Sequence, residues 1–201
     1  MKYRKFFFPI LAAGVLAISA CSSGESKDDS VYQNPVFEPV FADPSIIKGE
    51  DGHFYAYGTE DDWGDGEGSK YIPILKSADL TDWKHIGNAF SDQHHPMWKQ
   101  GGLWAPEITF YNNKYYLYYS LSTWGDYDPG IGVATSDSAE GPFQDQGKVF
   151  RSTEIGVENS IDPFFIEENG TPYLLVNRGR ACPKRGTVPN CGKCLRGTLY
   201  H

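Results

Sequence analysis

Apolar residues in the central part of the chain come in short runs broken by polar pairs, and the same order of runs occurs three times. Each round opens with an apolar strand that carries an X-Pro step: Ala42-Asp43-Pro44-Ser45-Ile46-Ile47, then Trp104-Ala105-Pro106-Glu107-Ile108, then Ser160-Ile161-Asp162-Pro163-Phe164-Phe165-Ile166. A turn follows at Asp51-Gly52, Asn112-Asn113 and Asn169-Gly170, and Asn-Gly or Asp-Gly between β-rich runs is a strong short-range hairpin signal. An aromatic strand comes next: His53 to Tyr57, Lys114 to Tyr119 and Thr171 to Val176. Two rounds add an outer pair of strands, Ile72 to Lys76 leading to Trp83 and Gly130 to Thr135 leading to Phe143, each joined by a polar turn. The three prolines are spaced by 62 and then 57 residues, somewhat more than the roughly 40–50 of common blade repeats. No helical periodicity of useful length appears beyond the N-terminal segment. The pattern predicts an all-β protein built from four-stranded propeller blades. A β-sandwich also has short strands and regular turns, but it gives no reason for an X-Pro opening to recur at blade spacing.

The first 34 residues follow another pattern. Lys2, Arg4 and Lys5 precede an uncharged apolar core from Phe6 to Ala17, too short for the ~20 residues that span a bilayer. This is the pattern of a secretory signal. Ile18-Ser19-Ala20-Cys21 resembles a bacterial lipobox, so residues 1–20 are expected to be a lipoprotein signal peptide and Cys21 the lipidated residue; the alternative is ordinary cleavage beside an incidental cysteine. Residues 21–34, with the polar, acidic Ser22 to Ser30, are expected to be a disordered tether. The acidic run resembles a surface-export signal of Bacteroides-group lipoproteins, although a solvated linker has the same composition. The expected location is therefore a bacterial membrane, with the outer-membrane surface as one option and the membrane as partner through the lipid on Cys21.

Composition adds three constraints. Net charge is −8, which argues against nucleic acid as a partner and suits a neutral polymer, and aromatic content is high, with thirteen Tyr, twelve Phe and five Trp. Apart from Cys21 the cysteines are Cys182, Cys191 and Cys194, all near the C-terminus, so the body is not stapled by disulfides. Residues 178–201 hold six basic residues and no acidic one, and the hairpin rhythm stops there. Cys191-Gly-Lys-Cys194 is half of a zinc knuckle without regularly spaced partners. The segment is expected to be an aberrant basic tail produced by a frameshift or an interrupted reading frame, following a partial propeller at 35–177.

Asp43 and Asp162 occupy the same position of matched repeats. One Asp before Pro is an ordinary turn or strand opening, whereas two in register point to paired carboxylates. Phe41-Ala42-Asp43-Pro44-Ser45-Ile46-Ile47, Ser77-Ala78-Asp79-Leu80-Thr81-Asp82-Trp83, Leu103-Trp104-Ala105-Pro106-Glu107-Ile108 and Asn159-Ser160-Ile161-Asp162-Pro163 together resemble glycoside hydrolase family 43. Ile72-Pro73-Ile74, Tyr115 to Thr123 and Gly132 to Ser136 are most similar to its arabinan-degrading members. The sequence departs from the family at Glu107, often Asp there, and after Asn177.

The resemblance implies a five-bladed β-propeller, of which about three blades are present, with an axial active site on pentose polysaccharide, most of all arabinan. It implies inverting hydrolysis, in which one carboxylate activates water and a carboxylic acid protonates the leaving oxygen. Asp43 matches the general base, and Asp162 the carboxylate that orients the sugar and modulates the acid. The family's acid, a Glu, belongs to the next blade, near position 220, so it is expected to be absent from this chain and the chain inactive. Trp104 is a sugar platform or a core residue, Glu107 a residue that hydrogen-bonds substrate or structure, and Asn159 a sugar contact or turn residue. No cofactor is required, no metal ligand is assigned, and calcium near the axis is an implication of the resemblance alone. Two alternatives stand: a β-xylosidase of the same family, and a non-catalytic surface sugar-binding propeller. His94-His95 and the acidic, Gly-rich stretch Glu60 to Gly68 are not metal sites on this reading, because Trp63 stands where a calcium loop needs a ligand.

Overall fold

The structure is a computed structural model and describes Tyr32, residues 34–178 and the backbone of 198–200. The expected signal peptide, Cys21 and the three cysteines of the tail lie outside the described residues.

Strands β1 (Ser45–Lys48) and β2 (Phe54–Tyr57) form the first hairpin. A small hairpin of β3 (Asp61–Asp62) and β4 (Ser69–Lys70) follows, and then β5 (Pro73–Ser77) and β6 (Lys84–Asn88) complete an antiparallel sheet in the order β1-β2-β5-β6. The second sheet takes β7 (Gly102–Tyr111), β8 (Lys114–Ser122), β9 (Gly130–Ser136) and β10 (Gln144–Arg151) in simple succession. The third has β11 (Ser160–Glu168), β12 (Thr171–Arg178) and β13 (Thr198–Tyr200), the last pairing antiparallel with β12. Each X-Pro opening begins the first strand of a sheet, so the sequence repeat and the blade coincide.

The turns form for the expected reasons. Asn112 and Asn113 both have positive φ, 49° and 59°, and Asn169-Gly170 has 52° and 78°. Two successive left-handed residues make the turn whose twist matches antiparallel strands, and Asn and Gly tolerate it best. At the other end of β7 and β11 the pairing slips between Trp104 and Glu107 and between Ile161 and Phe164. Both slips contain the X-Pro step, where proline offers no N–H to the ladder.

The main core lies between the first two sheets, where Tyr57, Ile72, Ile74, Leu117, Tyr119 and Leu121 are fully buried. Ile131, Phe150 and Val176 form a smaller cluster, with Tyr118 and Leu174 packed against it, between the second and third sheets. Gly132 is required here because a Cβ would overlap the Tyr119 ring, whose hydroxyl donates to Asp145 and accepts from the Trp98 indole N–H.

The acidic stretch 60–68 has a structural explanation. The buried Lys70 ammonium contacts Asp65 and Glu67 at 2.9 and 3.1 Å, and Trp63 packs on Phe37 and His85 while donating to the Val40 carbonyl. The loop thus carries its own cation and is pinned to the segment preceding β1. His95 stacks face to face on Tyr71, with ring centroids 4.4 Å apart.

Candidate active site

The three X-Pro openings converge on one open cavity of about 450 Å³. Its wall is the matching stretch from each sheet: Asp43 to Ile46, Ala105 to Ile108, and Asp162 to Phe164. In each stretch the residue before proline is left-handed, with φ of 50° at Asp43, 41° at Ala105 and 55° at Asp162. Such a conformation costs a non-glycine residue about 1–3 kcal/mol and persists only where neighbouring structure over-determines it.

The over-determination consists of two sets of hydrogen bonds that step from sheet to sheet. In the first, the N–H of Ala105 donates to Thr59 Oγ1 at 2.8 Å, and the N–H of Asp162 donates to Ser120 Oγ at 3.0 Å. In the second, the N–H of Ile108 donates to Ser45 Oγ at 3.2 Å, and the N–H of Phe165 donates to Glu107 Oε1 at 3.1 Å. Ser45 Oγ also donates to Glu107 Oε2 at 2.8 Å, so Glu107 ties the first and third sheets to the second.

The two aspartates are bonded alike. Thr59 Oγ1 donates to Asp43 Oδ2 at 2.9 Å, and the Asn177 amide donates to Asp162 Oδ2 at 3.2 Å. Water reaches Asp162 from the cavity, but the surrounding strands crowd its other sides. That partial burial raises its pKa above the ordinary carboxylate value; the negative charge of Asp43 adds to the rise and the Asn177 hydrogen bond opposes it. Burial also raises the pKa of Glu107, against the hydrogen bonds from Ser45 and Phe165. Two carboxylates therefore share one sugar-sized cavity, and the charge of one makes the other easier to protonate. Like-charge pairs of this kind are how glycosidases set the protonation of neighbouring carboxyl groups.

Asp43, Asp162 and Glu107 are thus brought together, while Trp104 and Asn159 lie outside the cavity wall. Trp104 is half-buried, and its ring packs at 5.3 Å on Trp124, which is 95% exposed. Asn159 has φ of 55° and donates its N–H to the Tyr127 carbonyl at 3.4 Å, just before β11. Sequence reasoning did not single out Thr59, Ser120 and Asn177. They hold one position in the repeat, two residues beyond Tyr57, Tyr118 and Leu175, and aligning the three aromatic strands would have exposed it. Among the described residues the only other carboxylate on the cavity wall is Glu107, both of whose oxygens accept hydrogen bonds from the protein.

Comparison with known proteins agrees with this geometry. The model of glycosyl hydrolases family 43 matches residues 32–188. A Bacillus subtilis protein named extracellular endo-alpha-(1->5)-L-arabinanase 1 is 33% identical over 181 residues, covering 86% of this chain and 52% of the relative. A native Bacillus subtilis arabinanase structure superposes with a TM-score of 0.57 at 33% identity, over 70% of this chain and 49% of that one. A Cellvibrio cellulosa alpha-L-arabinanase complexed with arabinohexaose gives 0.57 at 25% identity, over 69% and 45%. The chain spans about half the length of the curated relatives it matches. The sheets described above are blades of the five-bladed propeller of these relatives, and the chain belongs to glycosyl hydrolases family 43.

Proposed function

We propose that this chain carries the base side of an arabinan-hydrolysing active site, with Asp43 as general base and Asp162 as the carboxylate that orients the sugar and modulates the acid. The observation that supports it best is the matched geometry of the two aspartates: the same left-handed pre-proline conformation, one shared cavity, and Ala105 at the equivalent position between them. An alanine there leaves room for a sugar ring where a third carboxylate would otherwise stand. The general acid is to be sought outside the described residues, since Glu107 is committed to Ser45 and Phe165. The arabinanase names of the relatives support arabinan as the substrate, and no cofactor enters the scheme.

Hydrolysis of debranched arabinan by a restored full-length form that carries the acid-bearing blade, followed as released reducing ends with xylan as the comparison substrate, tests the reading, all activity variants being made in that form. Asp43→Asn and Asp162→Asn should each lower turnover about 10²–10⁴-fold without unfolding the protein. Near-wild-type rates in either variant remove that residue from the mechanism, and turnover of xylan in preference to arabinan reassigns the substrate.

We also propose export with lipid attachment at Cys21, supported by the lipobox-like Ile18-Ser19-Ala20-Cys21 and by relatives named extracellular. Metabolic labelling with a radioactive fatty acid should mark the wild-type protein and not Cys21→Ser; equal labelling of both refutes the anchor.

A further inference from the structure

We propose that Thr59 is the positioning residue of Asp43, its hydroxyl relaying a hydrogen bond from the Ala105 backbone to one carboxylate oxygen and leaving the other for the attacking water. The inference rests on the reading of Asp43 as general base. A hydroxyl has one hydrogen to donate, and a backbone N–H can only donate. Ala105 N–H occupies a lone pair of Thr59 Oγ1 at 2.8 Å, so the hydroxyl hydrogen is free for Asp43 Oδ2, 2.9 Å away. The direction of the relay follows from the partners.

Thr59 itself cannot drift with the carboxylate. Its N–H donates to the Ala42 carbonyl at 2.9 Å, and the next N–H, of Glu60, donates to the Leu103 carbonyl at 2.8 Å. The side chain therefore stands between the first and second sheets, fixed to both. Asp43 Oδ1 has no hydrogen-bond partner among the described residues. The charged groups that share the cavity wall with it are Asp162 and Glu107, both acidic, so neither supplies a competing donor. The repeat reinforces the reading. Where the left-handed residue is Asp, the matching position donates to it, as Thr59 does to Asp43 and Asn177 to Asp162. Where it is Ala105, the matching Ser120 only accepts the N–H of Asp162.

Thr59→Val keeps the shape and removes the relay, and Thr59→Ser keeps the relay. On arabinan, in the restored full-length form that carries the acid-bearing blade, Thr59→Val should lower kcat about 10–100-fold with KM within about two-fold, and Thr59→Ser should stay within about three-fold of wild type. Combined with Asp43→Asn, Thr59→Val should cost almost nothing further, because the two residues act as one unit. A serine variant as slow as the valine variant, or losses that multiply in the double variant, overturns the proposal. The Asp43 side-chain rotamer, read from NMR couplings in the 201-residue chain, separates this from failure of the base assignment. One rotamer in wild type and Thr59→Ser, and averaging in Thr59→Val, upholds the relay even if Asp43→Asn proves active; no difference among the three overturns it.

Discussion

Glu107 offers the most direct test of how the site is held together. Its carboxylate accepts the Phe165 N–H of the third sheet and the Ser45 hydroxyl of the first, from a half-buried position. Glu107→Ala removes both acceptors and leaves the Phe165 N–H with no protein partner. A hydrogen bond to a charged group contributes about 1.5–3 kcal/mol net. The adjoining cavity admits water, which can partly replace the lost acceptor, so the lower end applies. Amide exchange at Phe165 should then accelerate about ten-fold or somewhat more. Glu107→Gln should come close to wild type, because its carbonyl can accept the Phe165 N–H while its amide donates to Ser45 Oγ. The pH dependence has a definite sign. Burial raises the Glu107 pKa above its ordinary 4.5, so the folded state holds the proton where the unfolded chain has lost it. Stability from this group is therefore present below about pH 4.5 and falls as pH rises toward the folded value. Glu107→Gln has no such loss, so its stability relative to wild type should improve across that interval and then level off. Unchanged Phe165 exchange in a folded Glu107→Ala protein would mean that the third sheet is docked by other contacts.

Two further expectations concern the core and the exposed tryptophan pair. Leu117 is fully buried in the main core, and Leu117→Ala should destabilise the protein by about 2–5 kcal/mol in denaturant titration; a smaller loss would show that the two sheets close over the gap. Trp124 is almost wholly exposed yet packed on Trp104, so Trp124→Ala should raise KM for arabinan several-fold with kcat and stability nearly unchanged; an unchanged KM removes the pair from substrate contact.

The blade repeat was legible because it is written in periodic features: three X-Pro openings, three polar turns and three aromatic strands, all of which coincide with sheets. The pairing of Asp43 and Asp162 was legible for the same reason, since residues in register on matched strands converge wherever the strands do. Thr59, Ser120 and Asn177 were not singled out, because a small polar residue at a strand end reads as turn chemistry until its long-range partners are known. Trp124 was hidden in an irregular loop, Thr123 to Pro129, where no period marks which aromatic ring is presented. The role of Lys70 as internal cation of the acidic loop was also invisible, because a lone lysine after an acidic run looks like any exposed charge pair.

The left-handed pre-proline residues explain why the hydrogen-bond ladder and the chemistry cannot be separated. Sterically, a residue before proline belongs in extended conformations, and Asp43, Ala105 and Asp162 all defy that preference. Ala105 has no carboxylate to aim, yet it keeps the same φ, so the conformation belongs to the blade rather than to the acid. Its role is to break the strand pairing at the X-Pro step and direct the side chain of that residue at the cavity wall. The N–H groups of Ala105 and Asp162 are then taken up by Thr59 and Ser120 of the preceding sheet. The second and third openings are thus held by the blade before them, whereas Asp43 of the first opening is held through its side chain by Thr59 Oγ1. Asp43 and Asp162 differ from Ala105 in placing a carboxylate at the opening. A loss of packing between adjacent sheets should therefore appear first as disorder of these aspartates, and as lost turnover, before it appears as lost secondary structure.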